Sequence, residues 1–390
     1  MKRQIESSIA DLTELRRDLH THPELGFEEH RTADLVASKL SSWGIEVHRG
    51  LGKTGVVGSL KAGSSDRAIA LRADMDALAM PEFADRPYRS IHPGRMHACG
   101  HDGHTVMLLG AAKYLEETKH FDGVVHFIFQ PAEEGRGGAK AMVEDGFFDQ
   151  FPTDAVYGMH NMPGLSTEQI AVVPGPQLAS SDSWEVVFDG VGTHGAKPHL
   201  GRDAITATGH FLTALNTIVS RQVDPLHAAV VSACSIQAGD PEAWNVIPEQ
   251  VTIRGTARAY SAENRDLLER EIGALAEGVA TMFGIQVAYR FIRRIAPVIN
   301  DQEATSRARR AAEAIVGAAN VITDFPPSTA GDDFSVFSSV VPGAYVWVGN
   351  GPAVDGALHH NSRYDFNDDA ILTGASFWAE LVEQELAAEA

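Results

Sequence analysis

Ile9, Leu12, Leu15 and Leu19 fall at helical spacing with charges between them, which predicts a helix over residues 5–22 that Pro23 and Gly26 end. A second helix is predicted over 30–43, carrying Ala33, Leu35, Val36 and Leu40 and stopped by Gly44. The apolar runs then shorten. Residues 45–47, 55–60 and 68–74 read as strands, the third almost continuously apolar, as a strand covered on both faces is. A proline-containing loop over 81–94 leads to a helix that ends near Glu116 and Glu117. Strands over 123–129 and 154–160 run directly into polar residues, Glu133-Glu134 after the first and His160 at the end of the second. Polar groups collected beyond strand ends are characteristic of open α/β sheets, so the fold class predicted is α/β, a mostly parallel sheet flanked by helices.

Near Pro174-Gly175-Pro176 the pattern changes. Strand 183–188, helix 204–219, strands 228–236 and 250–259, helix 262–283 and strand 285–291 follow the order β-α-β-β-α-β of the ferredoxin-like unit. Residues 180–294 therefore read as an inserted second domain between a first catalytic segment, 1–179, and a second, 295–390. After Pro297 come a helix over 304–316, a helix starting at Gly331-Asp332-Asp333-Phe334, and a buried strand over 344–349. A loop holding His359 and His360 and a closing helix over 368–388 complete the chain.

A length of 390 residues exceeds what one hydrophobic core usually supports, in keeping with two domains. The formal charge of −20 speaks against nucleic acid and anionic membranes as partners. No apolar run reaches the roughly 20 residues of a membrane span, and Met1-Lys2-Arg3-Gln4-Ile5-Glu6 lacks a signal peptide's apolar segment. Two distant cysteines, Cys99 and Cys234, make no disulfide framework. A cytoplasmic location is expected, where Cys99 can remain a thiolate.

The chemistry concentrates in Met96-His97-Ala98-Cys99-Gly100-His101-Asp102-Gly103-His104-Thr105, where thiol, imidazole and carboxylate lie among small residues. Those are the donors of a borderline-soft divalent ion. Glu133-Glu134 offers two adjacent carboxylates, one for a metal and one for proton transfer to and from a coordinated water. His160 and the pair His359-His360 are further candidate donors from distant segments, and one ion or two would fit this pattern. In the inserted domain, His194 sits in a glycine-flanked loop. Asn245, Arg254 and Arg258 can hold a carboxylate or an oxyanion.

These stretches, with Leu71-Arg72-Ala73-Asp74-Met75-Asp76-Ala77-Leu78, Asn245-Val246-Ile247-Pro248 and Tyr364-Asp365-Phe366-Asn367-Asp368, make the chain resemble the metal-dependent amidohydrolases. That family includes hippurate hydrolase, N-acyl-amino-acid amidohydrolases and indole-acetyl-amino-acid hydrolases, and the likeness runs over nearly the full length. It implies that Cys99, His101, Glu134, His160 and a histidine before the Tyr-Asp-Phe-Asn run hold divalent metal, two ions per subunit, with zinc, manganese, cobalt and nickel all admissible. Spacing from Tyr364 favours His360 for that last ligand, with His359 as the fallback. Glu133 would be general base and acid. His194, from a lid and dimerisation domain, would reach a partner subunit's site to help hold the oxyanion, with Asn245 a second polar group there. The expected protein is thus a homodimer that cleaves the amide of an N-acyl, hippurate-like amino acid. N-acetyl-amino acids and acetyl-diaminopimelate are the alternative substrates, and a Cys99 nucleophile is the alternative chemistry. Departures from the family pattern fall at Ala79, Ser362 and Gly331-Asp332, and bear on loop shape and the substrate pocket.

Overall fold

Strand Ala68–Asp74 is buried along its entire length and forms the axis of the larger of two units. In the computed structural model, which describes residues 1–353 and 356–388, the first unit comprises Met1–Gly175, Ile299–Pro326 and Asp333–Ala390. The second comprises Pro176–Val298 and Pro327–Asp332.

The first unit holds a sheet in the order Glu46–Arg49, Val56–Ala62, Gly123–Gln130, Ala68–Asp74, Ala155–Met162, Gly343–Gly349, Ile170–Ala171, Val321–Ile322. Its four central strands are parallel to one another, while Val56–Ala62 joins antiparallel. The neighbours of Ala68–Asp74 are Gly123–Gln130 on one side and Ala155–Met162 on the other. The chain thus reverses its direction of travel across the sheet here, and a crevice opens at the carboxyl ends of those strands.

Helix His101–Thr118 connects the first two of these strands and is buried over most of its length, including every residue from His101 to Ala112. Its polar first turn is enclosed with the rest. Gly100 enters the helix with φ +98°, and a Cβ there would lie 2.5 Å from Asn161 Oδ1 and 2.7 Å from the Tyr364 hydroxyl. A glycine is needed both for the left-handed turn and for that close approach.

The N-terminal segment expected as one helix is two, Lys2–Glu6 and Ile9–Thr21. Between them the Ser7 hydroxyl donates to Gln4 O at 2.6 Å, offering the backbone carbonyl a partner that competes with the next turn.

The second unit is a four-stranded antiparallel sheet in the order Ala229–Ala238, Gln250–Ala259, Ser181–Asp189, Gln286–Ile295. Helices Ala204–Gln222 and Ala262–Phe283 pack against its apolar face through Phe211, Leu215, Leu268 and Ile272. Connectivity and strand order are those of the ferredoxin-like unit. Asp203 caps the first helix by accepting from Ile205 N and Thr206 N, and Ser261 caps the second by accepting from Asn264 N. Thr193–His194 and Val246–Ile247 form a separate two-stranded ladder, with His194 opposite Val246.

Candidate metal centre

Four segments of the first unit bring donor atoms together near the carboxyl ends of the central strands. One donor each from Cys99, His101 and His160 lies within 4.8 Å of the other two; so do one each from Cys99, Glu134 and His360, and from His101, Glu133 and Glu134. Cys99 is common to two of these groups and Glu134 to two.

The backbone sets which imidazole nitrogens are free. His101 Nδ1 donates to Asp76 O at 2.8 Å and His160 Nδ1 donates to Asn161 O at 2.8 Å. In the neutral form of either ring the lone pair is therefore left on Nε2. His160 Nε2 lies 3.3 Å from Cys99 Sγ, and His101 Nε2 is buried without a hydrogen bond. His360 Nε2 lies 3.3 Å from Glu134 Oε1 on a half-exposed ring. Buried thiol, carboxylate and imidazole lone pairs facing one space fit a divalent ion.

Electrostatics agree with that fit. Burial and the nearby Glu134 carboxylate push the Cys99 thiol up. Burial opposes a charge on His101, yet Asp74, Asp76 and Cys99 hold it well above its usual range. His360 is raised to about 10 by hydrogen bonding to Cys99 and Glu134. Without a cation these groups keep protons. A thiol raised in this way lacks the depressed pKa of an activated nucleophile, which weighs against chemistry at Cys99.

Asp76 organises the carboxylates. Its Oδ1 accepts from Glu133 N and its Oδ2 from Glu134 N, each at 3.0 Å, and its Oδ1 lies 3.3 Å from His101 Nδ1. One side chain thus fixes the backbone of both glutamates and faces a histidine of the cluster. Asp74 accepts from His104 Nδ1 at 2.6 Å and from Arg72 Nη1 at 2.6 Å. Sequence reasoning gave neither aspartate a role, although both stand at the end of an apolar strand, as Glu133 and His160 do. Ala132, with φ +54°, and His360, with φ +60°, are non-glycine residues in the left-handed region. Each costs on the order of 1 kcal/mol and persists where surrounding contacts impose it. For Ala132 the contact is its N–H to Glu29 Oε1 at 2.8 Å.

The other polar residues of the motif have different partners. His104 is bonded at both nitrogens, to Asp74 and to Asn161. Asp102 accepts from His20 and Arg16. His97 is pushed down to about 4 by burial and is thereby neutral. His359 lies not with Cys99 and Glu134 but against His160, ring centroids 4.8 Å apart, and burial pushes it down to about 3.

His194, Asn245, Arg254 and Arg258 belong to the second unit. There His194 and Asn245 share a concavity of about 480 Å³ with Thr193, Val246, Ile247 and Pro248. His194 Nδ1 accepts from Ala196 N at 3.0 Å, so the neutral ring carries its proton on Nε2. Arg254 pairs with Glu185 at 2.7 Å, whereas Arg258 donates to Ala257 O at 2.9 Å and to Thr256 Oγ1.

Fold and donor set together define a metal-binding hydrolase. More particularly, the chain belongs to peptidase family M20/M25/M40, whose profile matches residues 70–384. Hippurate hydrolase of Campylobacter jejuni is 44% identical over 372 residues, 95% of either chain. N-acetyl-L-cysteine deacetylase of Bacillus subtilis is 37% identical over 95% of this chain and 87% of its own. The crystal structure of a dinuclear metal-binding M20 peptidase from Bacillus subtilis superposes with a TM-score of 0.85 at 33% identity, covering 98% of this chain and 99% of that one. Among the described residues, no helix is long and apolar enough to cross a membrane.

Proposed function

We infer that this amidohydrolase cleaves the amide of hippurate-like N-acyl amino acids, adding water to give a carboxylic acid and a free amino acid. The observation that carries the reading is the placement of Glu133 beside a cluster of thiol, imidazole and carboxylate donors. Cys99, His101, Glu134, His160 and His360 are the residues proposed to hold divalent metal, as two ions. Bound there, metal supplies a water of lowered pKa and a Lewis acid for the substrate carbonyl.

The chain's own residues do the rest. Glu133 takes the proton of the attacking water and returns it to the amine nitrogen as the C–N bond breaks. The backbone of Glu133 and of Glu134 is fixed by Asp76, so proton carrier and ligand keep their separation through the cycle. In the proposed homodimer, His194 of the partner subunit and Asn245 of the partner subunit donate an Nε2–H and an amide N–H to the developing oxyanion. Arg258, bonded to neutral acceptors, keeps a full charge for the substrate carboxylate, while Arg254 shares its charge with Glu185.

With metal supplied, N-benzoylglycine, N-acetylcysteine and indole-acetyl amino acids should each be cleaved to equimolar acid and amino acid. The benzoyl substrate is expected to give the highest kcat/KM. Chromatography of the products decides it, and no turnover on any of the three by the metal-loaded enzyme would sink the reading.

A homodimer completes the proposal. Strand Ala229–Ala238 is a ten-residue sheet edge with Val230 and Ile236 exposed, a template that a second copy can extend. If His194 of the partner subunit serves the site, inactive His194→Ala and Glu133→Ala proteins should recover activity when their subunits exchange. About a quarter of wild-type activity is expected, because half of randomly reassorted dimers are mixed and each holds one intact site. No recovery after exchange has been demonstrated by mass would exclude action in trans.

A further inference from the structure

Helix Ile9–Thr21 and the loop after Ala79 have no part in the chemistry described so far, yet they contribute Arg16 and Arg86 to a cluster of buried and part-buried charges. Arg16 reads from the sequence as a polar-face residue of an amphipathic helix. In the structure it is fully buried, and its guanidinium meets three carboxylates: Asp368 Oδ1 at 2.8 Å, Asp365 Oδ1 at 3.2 Å and Asp102 Oδ2 at 3.3 Å. Asp102 directly follows His101 in the first turn of the motif helix. Asp365 and Asp368 lie on the segment that begins with His360.

Further contacts surround this junction. Arg86 reaches Asp365 Oδ1 at 2.8 Å and donates to Tyr364 O at 2.9 Å and Arg363 O at 3.0 Å. Tyr88 donates its hydroxyl to Asp365 Oδ2 at 2.6 Å, and its ring is covered by the guanidinium carbons of Arg16 and Arg17 at 4.6 and 4.7 Å. Phe83 N donates to Ser362 O at 2.8 Å. Residues 82–88 therefore wrap the segment after His360 while Arg16 joins that segment to the helix of His101.

His360 meets the cluster directly through its ring, which contacts Cys99 and Glu134. Its ring is half-exposed, its backbone is left-handed, and its N–H donates to Ala98 O at 2.8 Å. A ligand on such a loop must be placed by what the loop is tied to further along. We propose that Arg16, supported by Arg86 and Tyr88, is a positioning residue for the metal centre, holding the His101 helix and the His360 loop at the separation the ion requires. The proposal rests on the reading of His101 and His360 as ligands. A planar fork with five donors can engage three carboxylates at once, and a lysine ammonium at the end of a flexible stem cannot reproduce that geometry. Breaking the contacts that orient metal ligands typically lowers metal affinity about 10–100-fold.

The test uses full-length protein stripped with a chelator and titrated with Co(II), alone and against a competing chelator. Four proteins are compared: wild type, Arg16→Lys, Tyr88→Phe and His360→Ala. Tyr88→Phe removes only the hydroxyl on Asp365 and keeps the ring, so it answers the question if Arg16→Lys does not fold. Expected are a Kd for Co(II) weakened about tenfold or more in Arg16→Lys, a smaller weakening in Tyr88→Phe, and a shifted cobalt absorption spectrum in both. Unchanged Kd and spectrum in either folded variant, with only the Tm lowered, would overturn the proposal and reduce the brace to fold stability. His360→Ala separates the two levels of the argument: unaltered Co(II) binding in that protein overturns the ligand reading first and the positioning role with it.

Discussion

Glu133→Gln is expected to lower kcat by about 10³-fold, within the 10²–10⁴ range that a positioned general acid–base supplies, while metal content stays at the wild-type level. The substitution keeps the shape of the side chain and removes its capacity to carry a proton. Nothing else in the local structure needs to change. The Glu133 N–H still reaches Asp76 Oδ1, and the left-handed Ala132 before it is held by Glu29 through the backbone. Glu134→Gln should behave in the opposite way. Glu134 shares its donor group with Cys99 and His360, so the loss there should appear first as metal content and only then as activity. Rates at saturating substrate beside metal analysis of the same preparations separate the two. A Glu133→Gln enzyme with full kcat and full metal would remove Glu133 from the mechanism.

The contrast between adjacent glutamates shows what the sequence makes legible. Both stand at the end of an apolar strand, and strand ends are visible because the apolar run stops abruptly. Ala68–Asp74, Gln250–Ala259 and Ala262–Phe283 have the bounds that their apolar patterns predict. The last two lie where a helix cap and alternation of inward and outward residues agree. Ile170–Ala171 and Val321–Ile322, at the edge of the large sheet, are only two residues long and too short to display any period. Antiparallel pairing of Val56–Ala62 with Gly123–Gln130 likewise joins strands more than fifty residues apart, one following strand Glu46–Arg49 and the other helix His101–Thr118.

For the site, residue types and their positions past strand ends suffice to name candidate donors, but not to say which nitrogen of a histidine is free. That depends on carbonyls such as Asp76 O and Asn161 O, whose direction follows from the fold. Asp76 illustrates the same limit from the other side. Its work is done on the backbone of residues nearly sixty positions away, and no spacing rule connects them. Arg16 is harder still, because charge on one face of a helix ordinarily means solvent, and only the fold encloses it with Asp102, Asp365 and Asp368.

Stripping the metal with a chelator is expected to abolish amide hydrolysis, and the affinity with which the metal returns should fall steeply as pH falls. The sign follows from the protons the metal-free site holds. A thiolate and neutral imidazoles are the binding forms. Cys99 is raised by burial and by Glu134, His101 is held well above its usual range by its aspartates, and His360 is raised to about 10. Near neutral pH all three therefore retain protons that metal must displace, and every added proton in solution opposes binding. Titrating the stripped enzyme with Mn(II) or Zn(II) at about pH 6 and about pH 8 should give the weaker binding at the lower value. Calorimetry in two buffers of different ionisation enthalpy should show protons released on binding. The same logic predicts that Cys99→Ser, which replaces the thiol by a hydroxyl that does not ionise in this range, binds more weakly and with a shallower pH dependence. Full activity in a preparation shown to contain no metal would break the argument at its root. Affinity independent of pH would leave the site metal-binding but deny that Cys99, His101 and His360 are its donors.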